Sequence, residues 1–240
     1  MPSVKEKLIL ALDVHNAEYA LEIVDKFSDY LNIFKVGLEL FAAAGPSVVE
    51  RIQERGKKVF LDLKLHDIPN TVSRAGQAAA RLGVYMFNVH TSSGFECMKR
   101  MKDDVAELCV KEGLKRPKMV GVTVLTSLSQ EELKGEFGIQ HSLRTHVKNL
   151  AVLAQKAGLD GVVASGHEVA MIKTHCGEKF ITVTPGIRPS WTPPDDQKRA
   201  MTPRQALKEG ADYLVLGRAV LGQQDPIKAL DLITIEALTA

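Results

Sequence analysis

The chain has 240 residues, 45% hydrophobic and 25% charged, with a formal net charge of +2. That is the balance of an ordinary globular protein. It has no basic cluster longer than two or three residues (Lys57-Lys58, Lys198-Arg199), which argues against a nucleic-acid-coating surface and leaves room for a small anionic ligand held by one or two cations.

Short β-like runs alternate with helical stretches. The first run, 8–13, ends in Asp13 and is too short for a signal segment or a membrane span, so a cytoplasmic protein without a membrane partner is expected. The second, 33–37, carries Lys35 between Phe34 and Val36. The third, 59–65, is the most informative. Side chains alternate along a strand, so Leu61, Leu63 and Leu65 share one face while Asp62 and Lys64 share the other. Asp67 follows beside Pro69 and falls in the loop. Charges on the inward face of an interior strand are costly unless paired, and catalysis is the best reason for placing them there. Val72, Ala75, Ala79 and Leu82 then recur at helical spacing.

Run 85–90 carries Asn88 and His90 on one face, and run 119–125 leads into Thr126-Ser127. Run 161–164 carries no charge; run 180–184 leads into Pro185-Gly186-Ile187-Arg188. The stretch 185–202 is long and rich in Pro, Gly and polar residues, the composition of a functional lid. Arg188 and Gln197 are placed to reach a ligand under it. Thr202-Pro203-Arg204-Gln205 reads as a capping box and Gly210 as the helix stop. The last run, 213–216, leads into Gly217-Arg218, a candidate phosphate site. Asp225-Pro226 opens a final helix with Ile227, Leu230, Ile233 and Ala237 on one face.

Eight βα units in this length fit a single (β/α)8 TIM barrel spanning residues 1–240. The rival is a doubly wound open sheet, but no G-x-G-x-x-G follows the first run. In a barrel, active sites gather at the carboxyl ends of the strands, and that is where the polar residues above cluster. Lys35, Asp62, Lys64 and Asp67 form a candidate alternating Lys-Asp array. His90 reads as a hydrogen-bonded residue of the mouth. His167-Glu168 lacks the second His of a zinc helix, and Asp195-Asp196 reads as a solvated pair. The three cysteines, Cys97, Cys109 and Cys176, are widely spaced and expected as reduced, buried thiols.

The motifs also carry a resemblance. Phe60 to Val72, Leu10 to Asp13, Phe34 to Gly37, Asn88 to His90, Val124 to Ser127, Thr184 to Pro189, Asp196-Gln197 with Met201 to Pro203, and Gly217-Arg218 resemble, in order and spacing, the orotidine 5′-phosphate decarboxylase family in its compact bacterial form. Two positions depart: Thr91-Ser92-Ser93-Gly94 stands where Ala-Ser-Gly-Gly is commoner, and Leu65 where Phe is frequent. The resemblance implies a barrel homodimer acting on orotidine 5′-monophosphate without metal or organic cofactor. It implies Lys35, Asp62 and Lys64 in one site, with Asp67 and Thr71 completing the partner's. Asp13 and Lys35 would hold the ribose hydroxyls, and Thr126 or Ser127 would meet the pyrimidine. Arg188, Gln197, Gly217 and Arg218 would bind the phosphate, and Ile68 and Pro185 would line the substrate site.

Overall fold

The computed structural model describes residues 4–192 and 199–238. Eight parallel strands, β1 (Leu8–Ala11), β2 (Ile33–Gly37), β3 (Lys58–Leu65), β4 (Met86–His90), β5 (Lys118–Val122), β6 (Gly161–Val163), β7 (Ile181–Thr184) and β8 (Tyr213–Leu216), close into a barrel in chain order, with β8 paired to β1. Helices cover its outside: α1 (Ala17–Phe27), α2 (Leu38–Ala44), α3 (Ser47–Gln53), α4 (Pro69–Arg81), α5 (Phe95–Glu112), α6 (Gln130–Gly135), α7 (Leu143–Lys156), α8 (Val169–Cys176), α9 (Pro203–Lys208), α10 (Arg218–Leu221) and α11 (Pro226–Leu238). The chain is the expected TIM barrel and not an open sheet.

The helix signals act as read. Thr202 and Gln205 cap α9 reciprocally. Gly210 takes φ +99 just past its end, where a residue with a Cβ is strained. Asp225 accepts the Lys228 N–H at the start of α11. Leu230, Ile233 and Ala237 bury its inner face. All three cysteines are free and buried.

Two cores result from the alternation. Outward-facing residues such as Leu10, Phe34, Leu61 and Phe87 pack under the helices. Inward-facing Ile9, Ile33, Phe60, Met86, Val120, Val183 and Val215 fill the barrel. The next inward position on the first four strands is Ala11, Lys35, Asp62 and Asn88, all buried. On β2, β3 and β4 the interior therefore changes from apolar to polar within one pleat of two residues.

Three strands end earlier than read from sequence, β6 by the single residue Ala164 and two others by more. The first stops its regular pairing at Ala11, opposite Lys35, which leaves Asp13 at the rim. The fifth stops at Val122. Thr123 still bonds the Val163 carbonyl through both its N–H and its hydroxyl, but the Val124 and Leu125 carbonyls turn away to the Arg199 guanidinium.

Candidate active site

The carboxyl ends of the strands enclose a cavity of about 470 Å³. Asp13, Lys35, Asp62 and Lys64 line it, together with Thr126, Ser127, Pro185, Arg188, Gly217 and Arg218. Ten of the residues expected at the site from sequence are thus brought together.

Four of them form a continuous charge chain. Lys35 Nζ donates to Asp13 Oδ1 at 2.8 Å and lies 3.3 Å from Asp62 Oδ2. Lys64 Nζ donates to Asp62 Oδ1 at 2.8 Å. The Lys35 and Asp62 side chains are only 10% and 11% exposed, deep enough that either alone would be strongly unfavourable. Burial by itself would lower the Lys35 pKa; the charges of Asp62 and Asp13 outweigh it and raise the pKa above the ordinary 10.5. The ammonium is therefore held in its charged form. Gly37 makes room for this pair, since a Cβ there would lie 2.9 Å from Lys35 Nζ and 3.3 Å from Asp13 Oδ1.

The backbone under Lys64 is special. Between the pairs Leu61–Phe87 and Leu65–Val89, β3 carries two more residues than β4, and Lys64 takes φ +53. A non-glycine residue in that region is strained by about 1–3 kcal/mol and persists only where its surroundings enforce it. Asn88 does so. Its Oδ1 accepts the Lys64 N–H at 2.7 Å, and its Nδ2 donates to Asp62 Oδ1. One amide side chain thus replaces the missing ladder and orients both members of the pair. Sequence reading placed Asn88 on the inward face without giving it this part. Inward parity was the available signal, and the bulge that creates the need for it leaves no local mark.

Three expected residues do not join the cavity of their own chain. Asp67, Ile68 and Thr71 are exposed on the loop and first turn after β3. Asp67 Oδ1 accepts the Ile68 N–H at 2.6 Å, and Ile68 is 67% exposed. The single-chain array therefore runs Asp13–Lys35–Asp62–Lys64, extended by Asp13 at its Lys35 end and not by Asp67 at its Lys64 end. Gln197 and the Asp195-Asp196 pair lie outside the described residues.

The phosphate-side loops are ordered by backbone bonds. Met201 N–H donates to the Gly186 carbonyl and Arg188 N–H to the Met201 carbonyl, pairing Ile187 with Met201. Gly186 has φ +73, which favours glycine after Pro185. The four-residue chain of two acids and two bases has no net charge. Arg188 and Arg218 make the lining net positive, the arrangement that suits a dianionic group on a polar ligand.

Fold and cavity together define a parallel (β/α)8-barrel protein with a charged mouth at the carboxyl ends of its strands. The family model described as "Orotidine 5'-phosphate decarboxylase / HUMPS family" matches residues 6–233. Orotidine 5'-phosphate decarboxylase from Saccharophagus degradans is 49% identical over 98% of this chain and 96% of its own length. The protein of that name from Moorella thermoacetica is 47% identical over 97% of this chain and 92% of its own. The crystal structure of orotidine 5'-phosphate decarboxylase from Lactobacillus acidophilus superposes with a TM-score of 0.83 at 36% identity, covering 97% of this chain and 99% of that one. The chain belongs to the orotidine 5'-phosphate decarboxylase / HUMPS family.

Proposed function

We propose that this chain is a carboxy-lyase that converts orotidine 5′-monophosphate to uridine 5′-monophosphate and CO2, a step of pyrimidine nucleotide synthesis, without metal or organic cofactor. The observation that carries the reading is the Asp13–Lys35–Asp62–Lys64 chain in one cavity with Arg188 and Arg218. Lys35 stands between two carboxylates, in the place a divalent cation would bridge. The cation they share is part of the protein.

The chemistry asks for such a site. When the C6 carboxylate leaves as CO2, the bonding pair stays on a ring carbon, in the plane of the ring, where the π system delocalises it poorly. Stabilisation must then come from fixed charge, and every 1.36 kcal/mol is tenfold in rate. The Lys64 ammonium supplies that charge and then its proton to C6, forming the C6–H bond of the product; the amine regains a proton from solvent. Asp62 faces the departing carboxylate and, with Asn88, fixes Lys64. Lys35 and Asp13 hold the ribose hydroxyls, Thr126 or Ser127 meets the pyrimidine, and Arg188, Gln197, Gly217 and Arg218 take the phosphate. Phosphate binding lies away from the reacting carbon and lowers the barrier only by holding the ring in place and excluding water.

A homodimer completes the reading. Asp67, Ile68 and Thr71 sit exposed at the rim, and an apolar Ile68 in that position supports a partner's approach. In the dimer Asp67 and Thr71 reach the partner's cavity. The test is loss of orotate absorbance on mixing the protein with orotidine 5′-monophosphate and EDTA. Rapid loss is expected. Turnover only with added magnesium would overturn the metal-free mechanism, and no turnover under either condition would overturn the activity.

A further inference from the structure

One buried ion pair lies outside this machinery. Arg199 Nη1 donates to Glu168 Oε1 at 2.8 Å, with side-chain exposures of only 12% and 5%. Burial pushes the Glu168 carboxyl up, against the lowering effect of Arg199. A buried pair is weak support for stability, since apolar residues of similar size often do as well. The rest of its contacts point elsewhere.

Arg199 Nη2 donates to the carbonyls of Val124 and Leu125 at 3.2 and 3.1 Å, the two residues immediately before Thr126-Ser127. Ser165 Oγ, beyond β6, donates to the Arg199 carbonyl at 3.1 Å. Two residues later Met201 is paired to Gly186 and Arg188. Met201 also seats against Gly166, where a Cβ would lie 2.7 Å from its Sδ. The side chain of Arg199 is thus tied to the β5 rim and its following main chain to the β7 rim, with the β6 turn between them.

We propose that Arg199, held by Glu168, is a positioning residue that fixes the loop before Thr126-Ser127 relative to the Gly186–Arg188 loop, so that the two ends of one nucleotide are gripped in a single register. The inference rests on the reading that the nucleotide spans this cavity. Arg199 touches no reacting atom. Its effect is felt only by a ligand that engages both loops at once. A misplacement of about 1 Å costs roughly 100-fold in rate when the binding of a remote group positions the chemistry.

The test compares kcat/KM for orotidine 5′-monophosphate with kcat/KM for orotidine, which lacks the phosphate. The variants are Arg199→Lys, Glu168→Gln and the double variant Glu168→Gln/Arg199→Gln, which leaves no buried charge unpaired. For the double variant we expect a loss of roughly 10- to 100-fold on the nucleotide and at most about threefold on the nucleoside; Arg199→Lys should recover part of the difference. An unfolded fraction scales both rates alike and leaves their ratio unmoved. Equal losses on both substrates, or an unchanged nucleotide rate in folded protein, would overturn the inference. Failure of the wild type on the nucleotide would instead remove the function on which it rests.

Discussion

On β2, Ile33 and Lys35 face the same barrel interior two residues apart, and the boundary between them divides the molecule. Below it, Ile9, Ile33, Phe60, Met86, Val120, Val183 and Val215 pack into one another. The floor is closed by a Tyr85–Tyr213 hydroxyl contact of 2.7 Å, with the Lys58 and Lys118 ammoniums 5.1 and 5.7 Å from the centre of the Tyr85 ring. Above it, the same parity presents Lys35 and Asp62, joined by Lys64 in the β3 irregularity and by Asp13 just past the end of β1. The floor stabilises by removing apolar surface from water. The mouth holds buried and half-buried unlike charges at 2.8–3.3 Å and a lysine in a strained backbone, features that serve a ligand better than they serve stability. On β2 the same strand geometry supports both, because the side-chain period of two lets Lys35 follow Ile33 without moving the chain; on β3 the mouth needs the irregularity that puts Lys64 at positive φ.

This division is testable by substitutions that should fall on one side of it. Lys64→Ala removes the proton donor and the charge beside the reacting carbon. We expect kcat to fall by at least about 10³-fold, with the urea midpoint nearly unchanged. A modest fall in kcat would break the assignment of Lys64. Ile33→Ala, one layer below Lys35, should do the reverse, costing about 2–5 kcal/mol of stability while the folded enzyme keeps its KM. A large KM change there would show that floor and mouth are not separable. Arg218→Ala should raise KM roughly 10- to 100-fold, as expected for loss of a charge-assisted contact worth about 1.5–3 kcal/mol, and disturb stability little. An unchanged KM would move the phosphate elsewhere.

The smallest effect concerns pH. Burial, then the nearby His66 and Lys64, pull the His90 pKa below its ordinary 6.5, with Asp62 opposing. The unfolded chain therefore binds this proton more readily than the folded one, and the stability contribution is lost as pH falls from about 6.5 through the depressed value. Urea midpoints at about pH 7.5 and about pH 5.5 should drop less for His90→Gln than for the wild type. Equal drops would remove His90 from the acid sensitivity of the mouth.

The sequence by itself determined the barrel and most of its mouth. Eight β-like runs spaced by helical patterns, the Asp62–Lys64 parity, the Thr202–Gln205 capping box and the Asp225-Pro226 helix start are local in character. Each depends on side-chain period or on hydrogen bonds within about four residues, so each is readable along the chain. Where strands 1 and 5 stop was less legible, because Asp13 and the Val124 and Leu125 carbonyls are claimed by Lys35 and Arg199 from other parts of the chain. Only the tertiary structure decided that Asn88 braces a lysine at positive φ, that Asp13 rather than Asp67 ends the charge array within one chain, and that Arg199 ties the β5 rim to the β7 rim. The side-chain bonds among them join residues 22 to 75 positions apart. They exist only once closure of the barrel has brought the strand ends into one ring, and no periodicity in the chain encodes which of the polar residues there will meet.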